Sequence, residues 1–435
     1  MAQNGLSVSL TRRDLVLLIL AFIITRAAIT TAGVVALKVL PSNEGSEFTH
    51  LLDGGAALDM WYRWDTGFYT SIATYGYDWL NDRKPADDMA FLPVYPLAIH
   101  VVGGMTETGC LASPYLSTCA TIGGLVVSNV ALLIAIFLLF DLTLVHFGKR
   151  VAWGAALLLL VSPISIFLSG VYTEALFLLL SLLTFWLLER DRFVLAVIAA
   201  AMACLTRSVG VALFLPLLWV AWNGERSIFT SNPSPTQSGG REQASSTLSP
   251  LPEFGEGKLT RSWSAGVGSS AIRPYRLILA FVPPLMFAGY ILLAGLTVGD
   301  PLAYFKTYAS VWNRTAGTPI QAFTVYFSGQ QVALFGWQVS WIDLILTLFY
   351  LVLAAILLAR AKTRLWGVFA LVAVLIPIAS GTLIGMPRFG AVVFPFYILL
   401  AYWANRWYKQ VLVYGASAAL ALLFIARFVT WRWIA

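Results

Sequence analysis

Long apolar runs separated by short polar connections set the character of this chain. Eleven stand out: Leu15–Leu40, Thr118–Phe140, Val151–Leu168, Ala175–Leu188, Phe193–Leu205, Val211–Trp222, Leu277–Leu296, Trp341–Leu358, Leu365–Leu383, Phe389–Trp403 and Val411–Val429. A membrane-crossing helix needs roughly 20 apolar residues, so the shorter runs read as short or paired spans. The pattern predicts an all-α, polytopic integral membrane protein with about 11 transmembrane helices. Between Phe193 and Trp222 two arrangements stay open. One is a single broken span; the other is a hairpin of two short ones around Thr206-Arg207-Ser208-Val209-Gly210.

Two polar stretches interrupt the pattern. Residues 41–117 form a large first loop, and residues 223–276 are rich in Ser, Pro, Gly and Thr. The second stretch has too little apolar surface for a core and reads as a flexible cytoplasmic linker. It divides the chain into an N-terminal transmembrane half, 1–222, and a C-terminal half, 277–435. Lys and Arg favour the cytoplasmic ends of spans. Arg12 and Arg13, Lys149 and Arg150, Arg190 and Arg192, Arg360 with Lys362 and Arg364, and Arg406 with Lys409 all fall on one side under this count. The 41–117 loop then faces outward, carrying ten acidic residues against three basic ones. No small-residue cleavage site follows the run after Arg13, so that run is expected to remain as the first span.

Composition narrows the function classes. Charged residues make up 11% of the chain and mean hydropathy is +0.79, whereas soluble domains carry about twice that charge. The net charge of +7 is scattered over loops, which fits topology and argues against nucleic-acid binding. The three histidines are too dispersed for a metal site, and the three cysteines match no metal-ligand spacing. Cys110 and Cys119 either pair in an outer loop or stand as two separate apolar thiols, the reading preferred here. With no soluble domain in view, chemistry must use the outer loops and the embedded polar residues.

The first loop holds the leading candidate. Trp64-Asp65-Thr66-Gly67-Phe68-Tyr69 sets a carboxylate among aromatics at a predicted membrane surface. Such a group suits a base that deprotonates a sugar hydroxyl, while a lipid phosphate departs as a stable anion without an acid's help. Asp followed by Thr is equally a helix start, so Asp65 as base and Asp65 as cap stand side by side. Trp64 and Tyr69 read either as headgroup anchors or as sugar-stacking rings. Glu174, where a span re-enters the membrane, either caps that helix or shares the Asp65 cavity. Three arginines suit a phosphate through bidentate bonds: Arg207 and Arg388 toward the outer side, with Arg207 preferred, and Arg26 deeper in the first span. A salt bridge to a buried acid is the competing role for each. Asp300, before Pro301, reads first as a turn or cap and second as a site residue. Asn313-Arg314-Thr315 fits the glycosylation acceptor pattern on the outer side, a weak three-residue match.

These segments, in order, resemble the GPI-anchor α-1,6-mannosyltransferase (PIG-V) family and its prokaryotic relatives among the GT-C glycosyltransferases. The resemblance rests on Arg63-Trp64-Asp65, Gly76-Tyr77, Ala90-Phe91-Leu92-Pro93-Val94-Tyr95-Pro96, Ser162-Pro163 through Tyr172-Thr173-Glu174, Thr206-Arg207-Ser208, Gly299-Asp300-Pro301 and Pro387-Arg388-Phe389. It implies a membrane mannosyltransferase that draws on a polyprenyl-phosphate-mannose (dolichyl-phosphate-mannose-like) donor and serves a glycolipid or glycan acceptor. The reaction would run on the non-cytoplasmic face, inverting, with Asp65 as general base. Beyond that lipid-linked co-substrate no cofactor is expected. The membrane would be the plasma membrane of a prokaryote or the endoplasmic reticulum of a eukaryote. Gly67-Phe68 stands where animal members carry His-Phe, and Leu92 replaces the second phenylalanine of an Ala-Phe-Phe-Pro run, which leaves the acceptor open. A transporter or lipid flippase is the rival from another class. It finds no evident internal repeat here, and the charged residues gather toward one face. A protein O-mannosyltransferase is the nearest rival enzyme.

Overall fold

The computed structural model describes residues 10–43, 52, 55–77, 87–103, 111–113, 116–223, 274–312, 314 and 317–434. Among them the architecture is helical, apart from one two-stranded antiparallel pair, β1 (Leu111–Ser113) and β2 (Leu116–Ser117). Helix α1 (Arg12–Val39) starts where Thr11 and Asp14 bond each other's backbone in a capping box. The first loop contributes α2 (Ala56–Asp59), α3 (Thr66–Tyr75) and α4 (Val94–Gly103). Then follow α5 (Thr118–Phe147), α6 (Lys149–Leu160), α7 (Ser165–Ser169), α8 (Glu174–Leu188), α9 (Phe193–Cys204) and α10 (Phe214–Asn223). The C-terminal half supplies α11 (Pro274–Ala280), α12 (Val282–Val298), α13 (Ala303–Trp312), α14 (Pro319–Thr324), α15 (Trp341–Ala359), α16 (Arg364–Ile378), α17 (Met386–Ala391), α18 (Pro395–Trp403) and α19 (Trp407–Val429).

Among the described residues, six segments are long and apolar enough to cross a membrane: Arg12–Val39, Thr118–Phe147, Pro274–Val298, Trp341–Ala359, Ala361–Ile378 and Trp407–Val429. The chain is an integral membrane protein. Among the described residues the other apolar runs form shorter helices, as expected for short or paired spans, and the count of about 11 transmembrane helices is not confirmed. Pro163 and Pro395 mark two of the interruptions, after α6 and at the start of α18. Phe193–Trp222 folds as two short helices. A 3₁₀ turn at Ser208–Leu213 joins them, and Gly210 lies so close to the end of α9 that a Cβ there would meet the Cys204 nitrogen at 2.5 Å. Lipid offers apolar side chains no drive toward one another, so helices associate where small residues let backbones approach. Gly123 of α5 meets the Gly103 backbone of α4 in this way, with a Cβ contact of 2.9 Å.

The two halves interlock. Helix α12 packs on α9, α18 on α6, and α19 on α1. The proposed linker lies, but for Asn223 and its last three residues, outside the described residues. Basic residues collect at one end of the bundle: Lys149 pairs with Asp14 at 2.8 Å, Arg190 with Asp141 at 2.7 Å, and Lys362 donates to the His146 carbonyl. The grouping of basic loops read from the sequence thus matches the packing. At the opposite end, Asn43 donates to the Thr430 carbonyl and Arg63 to the Val429 carbonyl, tying the first loop to the end of α19. Cys119 is disulfide-bonded and Cys204 is a buried free thiol, which overturns the preference for two separate thiols at Cys110 and Cys119. Cys110 itself lies outside the described residues.

Candidate active site

Trp64 sets the site's geometry. Its φ of 54° places a non-glycine residue in the left-handed region, a conformation that costs roughly 1–3 kcal/mol and needs outside support. Trp431 and Trp433 provide it, with ring centroids 5.3 and 5.5 Å from that of Trp64. Just before it, the fully buried Arg63 is locked to Asp59 at 2.9 Å and to the Val429 carbonyl at 3.2 Å. The turn is therefore braced on both sides where it delivers Asp65.

Asp65 occupies the N-cap position of α3, yet its side chain makes no capping hydrogen bond. It points instead into a cavity at the end of the bundle opposite the basic loops, and accepts from Arg388 Nη1 at 3.1 Å. Arg388 is carried by α17, which starts after Gly385 in the left-handed region (φ 73°), with Pro387 in its first turn. The same guanidinium donates from Nε to Glu174 Oε1 at 2.8 Å and lies over the rings of Phe167 and Tyr172. Glu174 opens α8, is wholly buried, and also takes Arg207 Nη1 at 2.7 Å. Arg207, at the bend after α9, donates further to Thr173 Oγ1 at 2.9 Å. One chain of ion pairs thus runs Asp65–Arg388–Glu174–Arg207, drawn from α3, α17, α8 and the α9–α10 bend.

The cavity encloses about 750 Å³ of empty space, part of it open to solvent. Phe91, Tyr308, Trp312 and Trp433 form an aromatic wall, and Tyr69 faces in beside Asp65. Burial, together with the negative charges of Asp65 and Glu174, raises the Tyr69 hydroxyl above its ordinary value, so it stays neutral and can donate. A third guanidinium, Arg314, lines the cavity beside Arg207 and Arg388. Arg207 and Arg314 both lie over Phe389, 5.0 and 4.9 Å from its ring centroid.

Of the residues singled out in the sequence, Asp65, Tyr69, Arg207 and Arg388 line the cavity, and Glu174 supports it from beneath. Trp64 stands behind the wall as a brace. Two candidates do not reach the cavity. Arg26 faces the protein interior as expected, but its guanidinium is committed to the Leu160 carbonyl and Ser169 Oγ, both at 2.6 Å, and does not line the cavity. Asp300 makes a local turn, bonded to the Leu302 amide at 3.0 Å and to Lys306 Nζ at 2.6 Å, also away from the cavity. Arg314, Tyr308 and Trp312 were missed as site residues. Their signal is modest: aromatic residues and one arginine in the outer segment after Pro301. Among the described residues no group of three or more His, Cys, Asp or Glu could hold a metal ion.

Residues 7–220 match the model of the mannosyltransferase (PIG-V) family. The GPI mannosyltransferase 2 of Yarrowia lipolytica is 28% identical over 202 residues, covering 45% of this chain and 50% of that protein. The rat GPI alpha-1,6-mannosyltransferase 2 is 31% identical over 177 residues, covering 40% of this chain and 33% of the relative. The matched region thus spans half or less of these relatives' length. Among solved structures, the apo oligosaccharyltransferase of Archaeoglobus fulgidus aligns with 94% of this chain and 56% of its own, at 14% identity and a TM-score of 0.41. Asp65, Glu174 and Arg207 all fall within residues 7–220, the region that matches the PIG-V mannosyltransferase family.

Proposed function

We infer that this protein is a GT-C-type mannosyltransferase that moves mannose from a polyprenyl-phosphate-mannose donor to a hydroxyl of a glycolipid or glycan. One observation carries the reading. Asp65 sits at a helix start without capping it, and its carboxylate is aimed into an aromatic, arginine-lined cavity. A carboxylate that caps no helix and faces a cavity from a braced turn is placed as a general base requires. In the reaction Asp65 takes the proton of the acceptor hydroxyl as that oxygen bonds the anomeric carbon. The bond from the anomeric carbon to the phosphate oxygen breaks, and the lipid phosphate leaves carrying the electron pair. Attack and departure on opposite faces invert the anomeric centre.

The departing phosphate gains negative charge in a low-dielectric site, where fixed cations act more strongly than in water. Arg207, Arg314 and Arg388 supply positive charge on the cavity wall. Phe91, Trp312 and Trp433 offer flat apolar faces on which a sugar ring can stack. The basic end of the bundle faces the cytoplasm by the charge rule, which sets the cavity on the non-cytoplasmic side of the plasma membrane in a prokaryote or of the endoplasmic reticulum in a eukaryote. The test is to incubate purified protein with polyprenyl-phosphate-mannose and candidate glycolipids and to look for a mannosylated lipid. Transfer supports the reading. Its absence with every acceptor, together with lipid translocation by reconstituted protein, would favour a flippase.

A further inference from the structure

The three cavity guanidiniums are not equivalent. Arg388 shares Asp65 and Glu174, and Arg207 is bound to Glu174. Arg314 has only neutral partners: Nη1 donates to Ser380 Oγ at 2.9 Å and Nη2 to the Ile384 carbonyl. Among the described residues it forms an ion pair with no carboxylate. Asp343 on α15 affects it electrostatically, but from beyond ion-pair distance. Arg388 and Arg207 are thus matched by Asp65 and Glu174, and Arg314 stands outside that chain of ion pairs.

Arg314 is also deeply placed, at 8% exposure, and burial pushes its guanidinium down to about 10. Carbonyl and hydroxyl oxygens can hold a buried guanidinium, as they hold Arg26, but Arg314 differs in lining the cavity, where an anion can reach it. Its position is fixed on several sides: the Arg314 amide donates to the Tyr308 carbonyl, and the guanidinium rests over Phe389, next in sequence to Arg388. A planar fork held in that way matches the oxygen geometry of a phosphate. We propose that Arg314 is the principal holder of the lipid donor's phosphate, with Arg388 and Arg207 engaged mainly in positioning Asp65 and Glu174. This assignment rests on the mannosyl-transfer reading and names the residue that seats the donor within it.

The experiment measures binding of a polyprenyl monophosphate, the leaving group, to detergent-purified full-length protein by ligand-induced thermal stabilisation. The corresponding polyprenol and inorganic phosphate are the controls for tail and headgroup. Arg314→Gln should weaken polyprenyl monophosphate binding about tenfold to a hundredfold, the worth of a charged hydrogen bond. Arg314→Lys should fall between it and the parent, keeping charge without the fork. Polyprenol binding should not change in either variant, and without ligand neither should unfold earlier than the parent. Unchanged phosphate binding in Arg314→Gln would overturn the proposal. So would a loss shared equally by the polyprenol, or early unfolding of both variants, which would make Arg314 a structural residue. Asp65→Asn should bind polyprenyl monophosphate like the parent while losing turnover. Failure of the base reading is thereby told apart from failure of the Arg314 assignment.

Discussion

Glu174 is the keystone of the site's ion pairs, and replacing it with alanine gives a prediction with a calculable size. The carboxylate is wholly buried and takes Arg388 at 2.8 Å and Arg207 at 2.7 Å. Removing one partner of a buried pair costs about 3–5 kcal/mol, because the other charge is left uncompensated. Here two guanidiniums lose it at once. Arg388 retains Asp65 at 3.1 Å, whereas Arg207 keeps only the neutral Thr173 hydroxyl at 2.9 Å. Glu174→Ala should therefore lie at the upper end, about 5 kcal/mol. Glu174→Gln, which keeps an acceptor oxygen, should lose about 1.5–3 kcal/mol. The assay is thermal unfolding in detergent, followed by loss of the monomer peak on size exclusion. Removing the stranded cation as well, in Glu174→Ala with Arg207→Ala, should recover part of the loss and give a coupling of about 1–3 kcal/mol. A Glu174→Ala protein that unfolds at the parent's temperature, or a double variant whose losses simply add, would refute the reasoning.

Two further outcomes follow from the packing. Gly210→Ala sets a Cβ against the backbone of Ala203 and Cys204 at 2.5–2.6 Å, so the bend carrying Arg207 must shift. We expect a loss of about 1–3 kcal/mol in thermal stability with weaker donor binding; parent-like stability would mean the bend is not closely packed. A cysteine at the exposed Ser310 should react with an impermeant reagent from the non-cytoplasmic side, and one at Arg406 only from the cytoplasmic side. The reverse pattern would move the cavity to the wrong face for a polyprenyl-phosphate donor.

What the sequence revealed, and what it hid, follows from the range of the interactions involved. Helical class and the grouping of basic loops were legible because both depend on local composition. The count of full spans was not, since prolines and glycines break several apolar runs into short helices that composition cannot tell from long ones. Asp65 was legible as a residue but not as a role: Asp before Thr marks a cap and a site alike, and only the missing capping bond separates them. Glu174 and Arg388 were each visible as charges in apolar surroundings, yet their pairing joins residues 214 apart in sequence. Asp300 was legible as a turn residue, its first reading, because that chemistry is satisfied locally, by Leu302 and Lys306. Arg26 misled because a buried arginine can be satisfied by carbonyl and hydroxyl oxygens with no anion present. Arg314 escaped because it lies in a polar outer segment where an arginine is ordinarily solvated, and only the packing of α13, α16 and α17 shows that it is enclosed.

Turnover by Asp65→Asn, beside parent protein on polyprenyl-phosphate-mannose and a glycolipid acceptor, tests the central claim most directly. The substitution keeps the side chain's shape and an oxygen that can still accept from Arg388, but removes the proton acceptor. Asp65→Asn should keep the parent's fold, losing no more stability than one half-buried ion pair supplies, with unchanged binding of polyprenyl monophosphate and turnover lower by about a hundredfold to ten-thousandfold. Near-parent turnover in a well-folded Asp65→Asn protein would contradict that claim.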